Sequence, residues 1–288
     1  MSTHLVLIHA LSPVHCGTGQ ATSGIDLPIA RERPTGTPLI PGSTLKGVLR
    51  SQGDVRTSET HKGAFGPDTF TASEHAGGVQ FGDARLLALP VRSVSGTFGW
   101  VTSPELLRRF ARDLHEAGKS WPLPPAPPSD KDALVAGDRL TVKVDGKERI
   151  IFEDFDFAAR RSTELEGFAK ALAVALFGAD SAAEIKHFVE RICVVGDDVM
   201  RVLGRVGMEV VTRNHIDEAT GTVADGQLWS EEALPVESVL AGLIVATPVR
   251  ASDDAATLIA HVRWLCKRPI QLGGKSTVGR GVCRVEVL

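Results

Sequence analysis

Residues 4–11 read HLVLIHAL and stop at Ser12-Pro13. A run that is apolar on both faces predicts a strand inside a sheet. Gly17-Thr18-Gly19 then turns the chain, and residues 25–29 form a short extended piece carrying Asp26. Pro34, Pro38 and Pro41 each push the residue before them into extended geometry. After Gly42-Ser43-Thr44 the period changes. Leu45, Val48 and Leu49 fall at i, i+3 and i+4, which predicts a helix capped by Ser43 with its apolar face inward. Lys46 and Arg50, four apart, share the opposite, solvent-facing side. Residues 51–80 are polar and read as a long loop.

Residues 80–91 read as the next strand. Ser103-Pro104 opens a helix with Leu106, Leu107 and Phe110 on its apolar face. Five prolines within 121–128 predict an irregular surface linker. Residues 140–144 and 150–157 read as strands about an Asp145-Gly146 turn, and 162–177 and 182–192 as helices. Residues 208–229 alternate apolar and polar about a polar tip at 217–222, the pattern of a hairpin. A strand at 240–249, a helix from 255 to about 267, a glycine-rich loop at 271–280 and a last strand at 281–288 complete the chain. This order predicts an α+β fold: one ferredoxin-like (RRM-like) core spanning 1–288 as a single domain. Its insertions would be the loop 51–80, the segment 118–180 and the hairpin 208–229.

Composition narrows the function. Aromatic residues are 5% and Tyr is absent, which argues against base stacking on an aromatic sheet. Net charge is -3, yet residues 255–285 hold six basic residues and no acidic one. A basic face on a near-neutral chain suits a subunit that meets nucleic acid on one side and protein elsewhere. Four scattered cysteines without C-x-x-C read as reduced thiols of a cytoplasmic protein. No leader is expected, and no apolar run is long enough for a membrane partner.

Familiar nucleotide motifs fail. Gly274-Lys275-Ser276 ends like a P-loop, but Pro269 stands where the first glycine belongs, and only a strand follows. Gly17-Thr18-Gly19 lacks a third glycine, since position 22 is Thr. There is no G-x-S-x-G and no H-E-x-x-H. Glycine loops beside cations still suit phosphates, because backbone N–H groups approach closely and a helix start adds its dipole. Residues 42–46 and 273–280 have this character; two tight turns with solvated cations fit equally. His15 and Asp26 suit acid–base work at a phosphodiester, where a 2′-OH loses its proton and phosphate charge is offset. The alternatives are a loop histidine and a turn carboxylate bonding backbone N–H groups. Zinc on His9, His15, Cys16 and a distant cysteine competes with a satisfied loop and core.

Taken together, HALSPVHCGTGQ, GIDLPIARE, TGTPLIPGSTLKGVLR and LGGKSTVGRGVCRV resemble the RAMP superfamily of CRISPR proteins. VQFGDARLLALPVRSVSGTFGWVTSP, VTRNHIDEATGTVADGQLW and SEEALPVESVL are similar to backbone subunits of the type III-B (Cmr) RNA-targeting complex. The resemblance implies a palm with an inserted thumb hairpin and helical fingers. It implies copies stacked into a filament along a CRISPR guide RNA, beside other Cmr subunits. Target RNA would be cut at six-nucleotide intervals with Mg²⁺ or another divalent cation, leaving a 2′,3′-cyclic phosphate. Asp26 matches the catalytic, metal-associated aspartate, with His15 and Glu232 near the cut. Ser43, Lys46, Arg50, Arg213, Gly273, Gly274, Lys275 and Arg280 fall where RNA is contacted. Relatives often carry Tyr or Phe after Leu-Trp; here that position is Ser230. A non-catalytic guide scaffold, a type III-A homologue and a guide-processing endonuclease are the competing readings.

Overall fold

The computed structural model describes residues 1–21, 24–52, 58–67, 71, 73–216 and 223–288. The first half of the chain runs β1 (Ser2–Ala10), β2 (Leu39–Ile40), α1 (Gly42–Ser51), α2 (Glu59–Phe65), β3 (Val79–Phe81), β4 (Ala84–Arg92), β5 (Phe98–Thr102) and α3 (Pro104–Glu116). The middle holds β6 (Asp132–Val135), β7 (Thr141–Val144), β8 (Lys147–Phe152), β9 (Phe155–Arg161), α4 (Thr163–Phe177), α5 (Ala182–Val189), β10 (Ile192–Val194) and α6 (Asp197–Val206). Then follow β11 (Glu209–Ile216), β12 (Val223–Ala233), β13 (Val239–Ala246), α7 (Ala255–Leu265), β14 (Ile270–Gln271) and β15 (Val282–Val287).

β1 lies inside a mostly antiparallel α+β sheet, as its apolar run predicts. β13 pairs with one edge (Leu5 opposite Leu243) and β15 with the other (Ile8 opposite Val285). Alternation splits its side chains between two cores. Val6, Ile8 and Ala10 pack with Leu45 and Leu49 of α1 and with Leu258, Ile259 and Val262 of α7. Leu5 and Leu7 pack with Leu107 and Phe110 of α3 and with Leu165, Phe168 and Leu172 of α4. Each buried leucine or isoleucine contributes about 1.5–3 kcal/mol. The sheet continues β14-β15-β1-β13-β4-β5-β10-β6-β9-β8-β7. Only β5 with β10 and β6 with β9 are parallel along that path. β11 and β12 form a separate two-stranded ribbon.

Several local expectations change. α1 begins at Gly42, with Pro41 at the cap position and no side-chain cap bond. Ser43 is one residue inside and exposed. The helix start is satisfied from outside instead: Gly42 N–H donates to Asp83 Oδ1 at 2.9 Å. Only glycine fits there, because a Cβ would lie 2.1 Å from the Phe81 carbonyl oxygen. The polar stretch 51–80 contains α2, capped by Ser58 (His61 N–H to Ser58 Oγ, 3.2 Å), and the strand expected at 80–91 divides into β3 and β4. The proline-rich linker runs into β6. The helix expected over 182–192 stops at Val189, and Ile192 starts β10.

The Asp145-Gly146 turn is as expected. Both residues have left-handed φ (49° and 73°), the mark of a tight two-residue hairpin. The strand expected after it divides into β8 and β9 about Glu153, whose φ is also positive. The hairpin expected at 208–229 is β11–β12, paired from Glu209 opposite Ala233 to Ile216 opposite Val223, with a shift of register between Asn214 and Ile216. Its expected polar tip, 217–222, lies outside the described residues.

Candidate active site

The segment 14–31 crosses the base of the β11–β12 ribbon and is stitched to β12. Val14 bridges Leu234, and Gly17 bridges Ile29 across the segment's own turn. Gly17 has no room for a Cβ, which would sit 2.6 Å from His15 Nε2. Leu27 then runs parallel to Glu231: Leu27 N–H donates to Ser230 O and Glu232 N–H to Leu27 O, both at 3.0 Å. This pairing sets Asp26 beside Ser230. Asp26 Oδ2 accepts from Ser230 N–H (2.7 Å) and from Ser230 Oγ–H (2.8 Å), while Asp26 N–H donates to Ser230 Oγ (3.0 Å). The carboxyl is exposed, and Ser230's bonds, the backbone N–H first, hold it below its ordinary range. Oδ1 has no hydrogen-bond partner among the described residues.

The two glutamates that follow Ser230 are buried and occupied. Glu232, 4% exposed, accepts from Ile29 N–H (3.0 Å) and from Arg31 Nη2 (2.5 Å). Arg31 also reaches the carbonyls of Gly36 (3.0 Å) and Gly204 (2.9 Å). Glu232 therefore anchors the segment through both of its oxygens. Glu231, 2% exposed, accepts from Trp229 Nε1 and Lys275 Nζ, both at 2.8 Å, with Arg213 Nε 3.6 Å from its other oxygen. Burial pushes this carboxyl up most strongly, but Lys275, Trp229 and Arg213 together bring it below its ordinary value.

His15 is also buried. Its Nδ1 lies 2.6 Å from the Glu232 carbonyl, which can only accept. Nδ1 therefore carries a proton and donates it to that carbonyl. The His15 carbonyl accepts from Gly274 N–H at 2.9 Å. A Cβ on Gly273 would lie 2.4 Å from that carbonyl oxygen, and Gly273 has φ +80°. Glycine at 273 thus docks the 273–280 loop against His15, and Lys275 follows in left-handed backbone, φ 65°.

The structure brings Asp26, His15, Glu232, Arg213, Gly273, Gly274 and Lys275 into one connected network. It leaves Ser43, Lys46 and Arg50 on α1. Lys46 is half-buried, with no ion pair among the described residues. Arg50 is not the freely solvated cation the helix spacing predicts, since its Nη2 donates to Pro67 O at 2.5 Å. Arg280 is 5% exposed, and its Nη1 is buried with no hydrogen-bond partner among the described residues. Sequence reasoning missed Ser230 as the partner of Asp26, Glu231 as the anchor of two cations, and Glu32. Glu32 clamps the segment to α3 through Arg109 (2.6 and 2.5 Å). Arg109's bonds, with Thr35 and Arg85 assisting against partial burial, hold Glu32 down to about 2. The Arg31-Glu32-Arg33 triplet and the Glu231-Glu232 pair were the available signals.

Among the described residues no three His, Cys, Asp or Glu side chains gather to hold a metal ion. Asp26 offers one open oxygen, and the neighbouring carboxylates are committed to cations. This donor set does not fit a resident divalent ion. Zinc fits no better: His9 is paired with Glu237 at 2.8 Å, and burial pushes the Cys16 thiol up to about 12.

A model of the RAMP superfamily matches residues 7–284. This chain belongs to the RAMP superfamily. Among its RAMP relatives is the CRISPR system Cmr endoribonuclease Cmr4 of Pyrococcus furiosus, 39% identical over all of this chain and 96% of the relative. The CRISPR system CMR subunit Cmr4 of Saccharolobus solfataricus is 26% identical over 98% of this chain and 95% of its own length. The crystal structure of oligomeric Cmr4 from Pyrococcus furiosus superposes with a TM-score of 0.76 at 32% identity, covering 100% of this chain and 98% of that one. A chain of the type III-B Cmr-beta complex bound to cognate target RNA shares the fold, with a TM-score of 0.74 at 21% identity over 100% of this chain and 97% of its own.

Glu32 supplies a pH-dependent part of the stability. Its folded value lies below its ordinary value of 4.5, so the contribution is complete above that pH and is lost as pH falls towards 2. Glu32→Gln should cost on the order of 2–3 kcal/mol in urea unfolding at pH 7. At pH 2.5 the variant and the wild type should differ far less.

Proposed function

We propose that this chain is a backbone subunit of a type III-B CRISPR complex. In this reading it binds guide RNA along a helical filament of its own copies, beside other Cmr subunits, and cuts target RNA at six-nucleotide intervals. Its place of action is the cytoplasm, in keeping with the absence, among the described residues, of a helix long and apolar enough to cross a membrane. The full-length likeness to a Cmr endoribonuclease supports the class of activity. The observation that carries the residue assignment is Asp26: an exposed, ionised carboxylate with one oxygen open, fixed at the foot of the β11–β12 ribbon.

We read the antiparallel order β15-β1-β13-β4 as a ferredoxin-like palm. α1 follows β1, and α7 joins β13 to β15, which supports that reading. β11–β12 is the thumb, and α3 to α5 are the fingers. On this frame the chemistry is in-line attack of a target 2′-OH on the adjacent phosphorus. Asp26 Oδ1 accepts the hydroxyl hydrogen, and bond formation from the 2′ oxygen breaks the bond from phosphorus to the 5′ oxygen, which takes a proton from water and leaves as a hydroxyl beside a 2′,3′-cyclic phosphate. Lys275 and Arg213, held by Glu231, supply positive charge for the phosphate. His15 and Glu232 hold the segment in place. A Mg²⁺ or other divalent ion taking part would arrive with the RNA and draw its remaining ligands from water and phosphate.

Asp26→Asn keeps the shape and most of the Ser230 contact while removing the charge. In the reconstituted complex it should slow cleavage of guide-matched RNA by at least about 10²-fold, with assembly and guide binding intact. Full-rate cleavage would leave a guide-binding scaffold as the better reading. Lys46→Glu should weaken guide binding and reduce its salt dependence. Arg50→Glu should add less, because Arg50 is spent partly on Pro67. Filter binding across a salt series measures both.

A further inference from the structure

Asp26 lies on an irregular, exposed segment, where a short carboxylate side chain ordinarily samples several orientations. Its second torsion is broad and two-fold. Here it does not swing freely. Ser230 receives the Asp26 N–H on its hydroxyl oxygen (3.0 Å) and returns its own hydroxyl hydrogen to Oδ2 (2.8 Å). The Ser230 N–H adds a second bond to the same Oδ2 (2.7 Å). A hydroxyl is the side-chain group that both accepts and donates at one atom, so serine closes a ring of bonds joining Asp26's main chain to its side chain. An aromatic residue at 230 places no hydroxyl beside its own backbone N–H. The closed ring is therefore a property of a short hydroxyl side chain, here serine, at this position.

We infer that Ser230 is a positioning residue: its hydroxyl fixes the Asp26 carboxylate so that Oδ1 faces outward, towards the scissile ribose. The inference rests on the reading of Asp26 as the cleavage carboxylate. Orientation frozen before RNA arrives does not have to be frozen in the transition state. Ser230 is itself set by the sheet, since its carbonyl accepts from Leu27 N–H (3.0 Å) and it stands opposite Thr212 in the ribbon.

The charged groups on the elements packed around Asp26 are otherwise engaged. On β12, Glu231 holds Lys275 and faces Arg213 of β11, and Glu232 holds Arg31. The His15 ring is bonded to the Glu232 carbonyl. None of them bonds to the Asp26 carboxylate, whose lowered value comes first from Ser230. Removing the hydroxyl opens the ring of bonds and leaves only the Ser230 N–H to hold the carboxylate, which is then free to turn.

Ser230→Ala and Ser230→Thr test this. The reconstituted complex is assayed with guide-matched RNA under single-turnover conditions, with target affinity measured alongside. In Ser230→Ala the cleavage rate should fall about tenfold or more, with target affinity within about twofold. Ser230→Thr, which keeps the hydroxyl, should restore the rate. An unchanged rate in Ser230→Ala overturns the inference. So does a rate loss explained by weaker RNA binding, or a threonine variant as slow as the alanine one. Failure of the underlying reading is separable: Asp26→Asn at full rate overturns the reading of Asp26 itself, whereas a slow Asp26→Asn beside a full-rate Ser230→Ala overturns only the positioning role.

Discussion

One buried carboxylate holds the site together. Glu232 spends one oxygen on the Ile29 N–H and the other on Arg31, and its carbonyl receives the His15 ring. These bonds pull the segment 14–31 onto β12, so that Leu27 can pair with Glu231 and Asp26 can meet Ser230. Removing one partner from such a pair typically costs about 3–5 kcal/mol, since the other charge is left stranded. Arg31 extends the tie to the Gly204 carbonyl at the end of α6, and Glu32 extends it to Arg109 on α3. An irregular segment is thereby fixed against a ribbon, a helix end and a second helix. That is how an exposed aspartate acquires one orientation.

The same pairing explains how a chain of net charge -3 can be built to meet RNA. The cations at this site are matched with carboxylates in the free chain: Lys275 and Arg213 with Glu231, Arg31 with Glu232, Arg109 with Glu32. Their charge is stored in ordered pairs, which keeps the surface from self-repulsion. An incoming phosphate near Lys275 competes with Glu231 for it. Binding at this end is then a re-pairing of charges, whereas Lys46 on α1 offers a cation with no such competitor among the described residues.

The framework was legible in sequence wherever apolar periodicity was long enough to speak. β1 declares itself by being apolar on both faces, α1 by Leu45 and Leu49, and β7–β8 by Asp145-Gly146. Shorter elements were silent: β10 has three residues, too few to show a period, and its first, Ile192, read as the end of a helix. α2 was hidden in a stretch whose polarity suggested only a loop, and the break between β3 and β4 went unseen in what read as one strand. The Ser43 cap failed because position 42 sits against the Phe81 carbonyl, a contact no local pattern reports. Asp26 was noticeable but ambiguous, since its partner lies 204 positions further along the chain. What promoted it was likeness to a family; what explains it is the strand pairing. Arg280 shows the reverse case, a basic residue in a glycine loop that folding buries.

The most direct test of a filament of cutting sites is the product pattern of the reconstituted complex on a guide-matched RNA, with end chemistry read alongside. The account predicts a regular ladder of six-nucleotide period whose fragments carry 2′,3′-cyclic phosphates, each copy presenting one Asp26 to the strand. A single cut, an irregular set of products, or fragments ending in 3′-hydroxyls would contradict it.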